Sequence, residues 1–262
     1  MESERELLEE SIIYTFGNGE IEKALQLAKD NGMPDLVSRF ESAVAFKKSV
    51  DSFRTHYEAD NGRAAGSLNK TPDRRQRGAM EQIRALHADN LLDVGCADGS
   101  FCFFCLRENV VNRATGIDPY VKGIDWAIKY SDHFPGRANF SQGLLEDVVL
   151  KPEFDVIYMG EVLEHVLDPV ASIRRALSFS KDLKGIVVTV PVGRPPLLEH
   201  EKKKVNAVAE HIRFIDEVVL EGYCKETGLV MAKAERVGSR WVNLIATLSH
   251  AQGSSFAGSP TI

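Results

Sequence analysis

The stretch "LLDVGCADGSF", Leu91 to Phe101, concentrates residues able to hold a ligand. An apolar run stops at the acid Asp93, and Gly95 and Gly99 bracket a loop that also carries Cys96, Ala97 and Asp98. Glycine permits positive φ and a close approach of backbone to a bound group, so the pattern reads as a cradle or as a plain strand-to-helix turn. A dinucleotide cradle needs G-x-G-x-x-G, with a helix N-terminus aimed at the pyrophosphate. Ala97 and Ser100 stand at two of those three glycine positions. Asp93 and Asp98 flank the loop with negative charge, which repels a pyrophosphate and suits a cationic amino acid. Asp93 has a second reading, as a cap of the following helix.

Further along, "ATGIDP" ends in Asp118 and Pro119, where a carboxylate can accept hydrogen bonds from both ribose hydroxyls. "FSQGLLEDV" offers a turn with Leu144, Leu145, Glu146 and Asp147 that could meet an adenine edge. A ligand with an ammonium group, a sulfonium charge, an adenosine and no phosphate fits these groups together, and S-adenosylmethionine is such a ligand. "FDVIYMGEVLEHVLDP" then places Glu161, Glu164 and His165 directly after an apolar run. Their spacing of i, i+3 and i+4 predicts that one helical turn gathers all three on a face. His165 has three readings: a pocket wall, a general base tuned by Glu164, or part of a divalent-metal site completed by His200 or His211.

Two other clusters carry blander expectations. "CFFC", Cys102 to Cys105, has the spacing of a metal or redox pair, but no second pair follows and phenylalanines surround it, so buried core is expected. "KTPDRRQRG" holds Lys70, Arg74, Arg75 and Arg77 and reads first as a solvated helical turn, and second as an anion contact.

The elements that must position these residues are legible in the periodicity. Strands are expected at Leu91–Val94, Ala114–Ile117, Ala138–Phe140, Phe154–Met159, Gly185–Val190, Leu229–Val237 and Trp241–Leu248. Helices are expected at Asp73–Leu86, Phe101–Glu108, Val121–Ser131, after Leu144, at Pro169–Phe179 and near Asp216–Thr227. This alternation predicts an α/β fold: a Rossmann-like, mostly parallel seven-stranded sheet with helices on both faces. A hairpin across Gly238-Ser239-Arg240 would make one strand antiparallel. Before Asn69 the pattern is purely helical, with Ile21, Leu25 and Ala28 on one face and Leu36, Phe40, Val44 and Phe53 on another. The expected division is a helical extension and linker at 1–69, a main domain at 70–250 and a disordered tail at 251–262. The N-terminal helices would cover the main domain or pair with a second copy, giving a homodimer. "PVGRPPLLEHEKKKVNAVAEHIRF" reads as a mobile loop beside the site.

In register and order, the four motifs from Asp89 to Leu248 resemble the class I S-adenosylmethionine-dependent methyltransferases, and "EVLEHV" is nearest the ubiquinone-biosynthesis O-methyltransferase branch. The resemblance implies a cofactor set of Asp93, Gly95, Cys96, Ala97, Gly99, Asp118, Pro119, Leu144, Leu145 and Glu161, with Asp93 beneath the methionine end. It departs from the family at Ala97, where glycine is frequent, and at Leu144 or Leu145, where an acid is frequent. His165 and Glu164 are the expected catalytic pair, acting on a small-molecule acceptor, with a hydroxyl oxygen favoured. A metal at Glu161, Glu164 and His165 in an RNA-end 2′-O-methyltransferase, and a silent cofactor-binding module, are the alternatives.

Composition narrows the classes. A net charge of −6 over 262 residues argues against a general nucleic-acid-binding surface. No apolar run is long enough to span a bilayer, the acidic start "MESERELLEE" is unlike a secretory signal, and four cysteines do not form a secreted framework. The expected compartment is a reducing cytoplasm.

Overall fold

The computed structural model describes residues 2–17, 20–48, 71–166, 168–192, 213, 215–238 and 242–250. Phe53, the 193–212 stretch with His200 and His211, most of the expected linker and the 251–262 tail lie outside them.

Three helices open the chain: α1 (Glu2–Gly17), α2 (Ile21–Asp30) and α3 (Pro34–Lys48). Their apolar stripes share one core, in which Ile12 and Ile13 meet Ala24, Ala28, Leu36 and Phe40, and Phe16 stacks on Phe40. Ile21, Leu25 and Val44 pack against it, as their helical spacing predicts. Gly32, at φ +60°, stops α2, and Pro34 opens α3 at a position where its missing N–H costs nothing.

α4 (Arg74–Ala85) leads into the sheet. Asp73 caps it by accepting from Gln76 N at 2.7 Å, while the Gln76 side chain accepts from Asp73 N at 3.0 Å. A Cβ on Gly78 would stand 2.5 Å from Ile245 Cδ1, so this glycine sets how closely the helix lies on the sheet. Strands and helices then alternate: β1 (Asn90–Val94), α5 (Ser100–Arg107), β2 (Arg113–Asp118), α6 (Val121–Ser131), β3 (Ala138–Gln142), β4 (Phe154–Gly160), α7 (Pro169–Leu177), β5 (Ser180–Val192), α8 (Glu217–Thr227), β6 (Leu229–Val237) and β7 (Val242–His250).

The sheet runs β3-β2-β1-β4-β5-β7-β6, with β7 antiparallel to both its neighbours and all other pairs parallel. β1 is buried at every position, as a central parallel strand covered on both faces must be. One face packs α7 and α8 through Ile173, Ala176, Leu220 and Cys224, and the other packs α4, α5 and α6 through Met80, Ile83, Phe103 and Ala127. The chain turns outward in opposite directions from β1 and β4, which opens a crevice at their carboxyl ends. One expectation fails: after Leu144 there is a single turn at 145–147 and no helix. Gly143, at φ +158°, breaks the backbone there, and a Cβ on it would press Val148 at 2.8 Å.

Candidate active site

The glycine turn is knitted to the end of β2. Gly95 N and Cys96 N both donate to Ile117 O, at 2.9 and 3.1 Å. Asp118 Oδ2 accepts from Ala97 N and its Oδ1 from Tyr120 N, each at 2.8 Å. Asp118 thereby orders the loop from the end of β2. Gly95 sits at φ +75°, and a Cβ there would meet Val162 Cγ2 at 2.6 Å. Ala97 also has positive φ, at +51°, a strain that substitution by glycine would relieve.

Gly99 shapes the turn from beneath. It does not line the cavity described below; it is the left-handed N-cap of α5, and a Cβ would strike the Phe140 ring at 2.6 Å. The capping side chain is Asp98, which accepts from Ser100 N at 3.1 Å and Ser100 Oγ at 2.6 Å. Asp93 therefore does not cap α5. It is buried and accepts from Cys102 Sγ at 3.4 Å. Burial raises its pKa to about 8; the Cys102 bond opposes this and the nearby Asp118 charge reinforces it. The "CFFC" thiols are core, and burial pushes both well above their usual range.

Above the turn lies a cavity of about 840 Å³. Asp93, Gly95, Cys96, Ala97, Asp118, Pro119, Leu144, Leu145, Glu146, Asp147, Glu161 and His165 all line it. Sequence positions 93 to 165 are thus brought to one wall by four strand ends. Arg175, on α7, fixes the loop after β3 by donating to Leu145 O at 3.3 Å and Val148 O at 2.6 Å, with its guanidinium over the Phe179 ring.

The segment after β4 departs from the helical expectation. Glu161 has φ +57° and residues 163–165 form a turn, so Glu161, Glu164 and His165 do not share a helical face. Glu164 is buried, with Oε1 3.9 Å from His165 Nε2. Glu161 points elsewhere: its Oε1 accepts from Asn243 Nδ2 at 3.2 Å and from Thr189 Oγ1 at 3.3 Å, and lies 3.7 Å from an Arg75 nitrogen. Burial raises the Glu161 pKa, and the Arg75 charge works against that. A carboxylate engaged by a guanidinium and an amide does not fit a ligand set for a divalent cation. Among the described residues no three His, Cys, Asp or Glu side chains are arranged to hold a metal ion.

Arg74 and Arg77 are solvated as expected, but Arg75 lines the cavity. Its position was half legible, since the Asp73–Gln76 cap fixes the first turn of α4. Tyr158, Thr189 and Asn243, which complete its surroundings, carry no local signal.

The carboxylates of Asp98, Asp118, Glu146 and Asp147 make this wall hostile to a pyrophosphate. With Asp118 at the end of β2, an apolar pair at Leu144 and Leu145, and the Arg75 guanidinium on the same wall, the residues fit S-adenosylmethionine.

The methyltransferase-domain family matches residues 52–234 of this chain. A ubiquinone biosynthesis O-methyltransferase of Rhodopseudomonas palustris (strain TIE-1) is 28% identical over 116 residues, which covers 44% of this chain and 44% of that protein. The chain thus matches less than half the length of that relative. Among solved structures, the N-methyltransferase NodS of Bradyrhizobium japonicum WM9, in complex with S-adenosyl-L-homocysteine, is similar with TM-score 0.52 at 17% identity, covering 75% of this chain and 95% of that one. The [4+2]-cyclase SpnF is similar with TM-score 0.53 at 18% identity, over 75% and 86% of the two chains. Such likeness shows the fold alone, and a cyclase beside a methyltransferase illustrates why. The strand order, the crevice at the β1 and β4 ends and the match over residues 52–234 place this chain in the methyltransferase-domain family, among the class I S-adenosylmethionine-dependent methyltransferases.

Proposed function

We propose that this chain transfers the methyl group of S-adenosylmethionine to a hydroxyl oxygen of a small molecule, with His165 as the base. The observation that carries the reading is that His165 lines the same cavity as the glycine turn, with Nε2 3.9 Å from the buried Glu164 carboxylate. The name of the Rhodopseudomonas relative, an O-methyltransferase, supports an oxygen acceptor.

When bound, S-adenosylmethionine supplies a methyl group on a positively charged sulfur, open to in-line displacement. The chain's own residues bind and align. Asp118 accepts from the ribose hydroxyls while its amide bonds hold it in place. Leu144, Leu145, Glu146 and Asp147, braced by Arg175, flank the adenine. Asp93 and Asp98 face the ammonium end. Arg75 meets the methionine carboxylate, because the other guanidinium on the wall, Arg175, is engaged with loop carbonyls. A neutral His165 imidazole takes the acceptor's hydroxyl proton as the methyl arrives, and the Glu164 carboxylate stabilises the resulting imidazolium.

His165→Ala should leave S-adenosylmethionine affinity within about twofold and lower kcat by about a hundredfold, the usual contribution of a positioned base. Turnover on a panel of phenols, catechols, sugars and RNA identifies the acceptor. Undiminished turnover by His165→Ala on that acceptor contradicts the base assignment.

A further inference from the structure

The Arg75 guanidinium is held by groups from three strand ends. Its Nη1 donates to Thr189 Oγ1 at 3.2 Å and stands 3.7 Å from Glu161 Oε1. Glu161 Oε1 accepts from Thr189 Oγ1 at 3.3 Å, and Asn243 Nδ2 spans both Glu161 oxygens at 3.2 and 3.4 Å. Tyr158 Oη lies 3.4 Å from Thr189 Oγ1. The hydrogen directions are fixed by inventory. Thr189 has one hydroxyl proton, and giving it to Glu161 leaves its oxygen to accept from Arg75 and Tyr158. The positive φ of Glu161 is a conformation that persists only where surroundings over-determine it, and the bonds from Thr189 and Asn243 do so.

A guanidinium has five N–H donors; Thr189 and Glu161 engage Nη1, while Nη2 stands 3.8 Å from the exposed Asp73 carboxylate, beyond hydrogen-bond distance. An arginine on a cavity wall loses considerable side-chain freedom on meeting an anion, and a clamp on the other edge removes that cost beforehand. We propose that Glu161, Thr189 and Asn243 are positioning residues, which aim Arg75 at the carboxylate of the methionine end and so favour ligands that carry it. This rests on the reading of Arg75 given above. It also gives Glu161 an indirect role in cofactor binding, through Arg75.

The test is calorimetric titration of the full chain with two ligands. S-adenosylhomocysteine carries the amino-acid end; 5′-methylthioadenosine has the same adenine, ribose and thioether without it. Arg75→Ala should weaken the first and spare the second, which checks the underlying reading. Asn243→Ala and the near-isosteric Thr189→Val should each weaken S-adenosylhomocysteine by about tenfold, the scale of one misaligned charge-assisted hydrogen bond, and leave methylthioadenosine unchanged. Combined with Arg75→Ala, each should add no further loss, because the effect passes through that arginine. If Arg75→Ala discriminates but Asn243→Ala and Thr189→Val weaken both ligands alike, or neither, the positioning role is wrong. Full additivity with Arg75→Ala would also overturn it. If Arg75→Ala fails to discriminate, the reading of Arg75 falls and the positioning role with it.

Discussion

Asp93, buried at the end of β1 beside the Cys102 thiol, keeps a proton up to about pH 8 that the unfolded chain gives up near its ordinary value of 3.8. The folded state therefore binds more protons than the unfolded state between those values, and this carboxyl's stabilisation is lost as pH rises through about 8. In the absence of ligand, the melting temperature should fall more steeply from pH 5 to pH 8.5 in the wild type than in Asp93→Asn; equal slopes would show that Asp93 is ionised throughout. A cationic ligand favours the charged carboxylate, so binding at neutral pH should release a proton, read as a dependence of the titration heat on buffer. Asp93, Gly95 and Asp118 were legible because each ends or follows a strand within one short motif. The Arg75 clamp was not, because Arg75 and Thr189 lie 114 positions apart and Glu161 and Asn243 lie 82 apart, and they meet only when β5 and β7 pair. The trio after β4 was misread for a related reason: Thr189 and Asn243 draw Glu161 away from the helical conformation that its spacing to Glu164 and His165 favours.

At the level of elements, the turn between β1 and α5 works because Gly99 lets the loop settle on β3 and α6. Gly99→Ala combines a left-handed φ of +72° with contacts at 2.6 Å to Phe140 and 3.0 Å to Ala127 Cβ. It should destabilise the chain by about 2 kcal/mol or more and lower Tm by roughly 4–8 °C, with loss of cofactor affinity through the displaced loop. A Tm within 1 °C of wild type by calorimetry would show that the loop has slack, on the conversion of about 2–4 °C per kcal/mol. Strand positions were readable from apolar runs and alternation, and α4 as the helix that follows Pro72. The stretch after Leu144 was misread as helix because "LLEDV" has helical composition, whereas the backbone is governed by Gly143 and by Arg175, whose bonds to Leu145 O and Val148 O hold those carbonyls outside a helix.

For the whole molecule, the three N-terminal helices have a core of their own, around Phe16 and Phe40, separate from the two cores that flank the sheet. Deleting residues 1–69 should therefore leave a folded sheet domain that still binds S-adenosylmethionine; a chain that no longer folds, by circular dichroism and gel filtration, would show that the helices complete the main domain. Seven strands, two helical layers and a crevice at the strand ends serve to bring Asp93, Asp118 and His165, distant in the chain, around one cavity. This cavity takes S-adenosylmethionine through the glycine turn and Asp118. Isothermal titration of the wild type and Asp118→Ala tests it most directly. Saturable binding by the wild type and a loss of about 2–4 kcal/mol in the variant are expected, the worth of two hydrogen bonds to a carboxylate. Equal affinity in the two proteins, or binding of a pyrophosphate dinucleotide in place of S-adenosylmethionine, would contradict it.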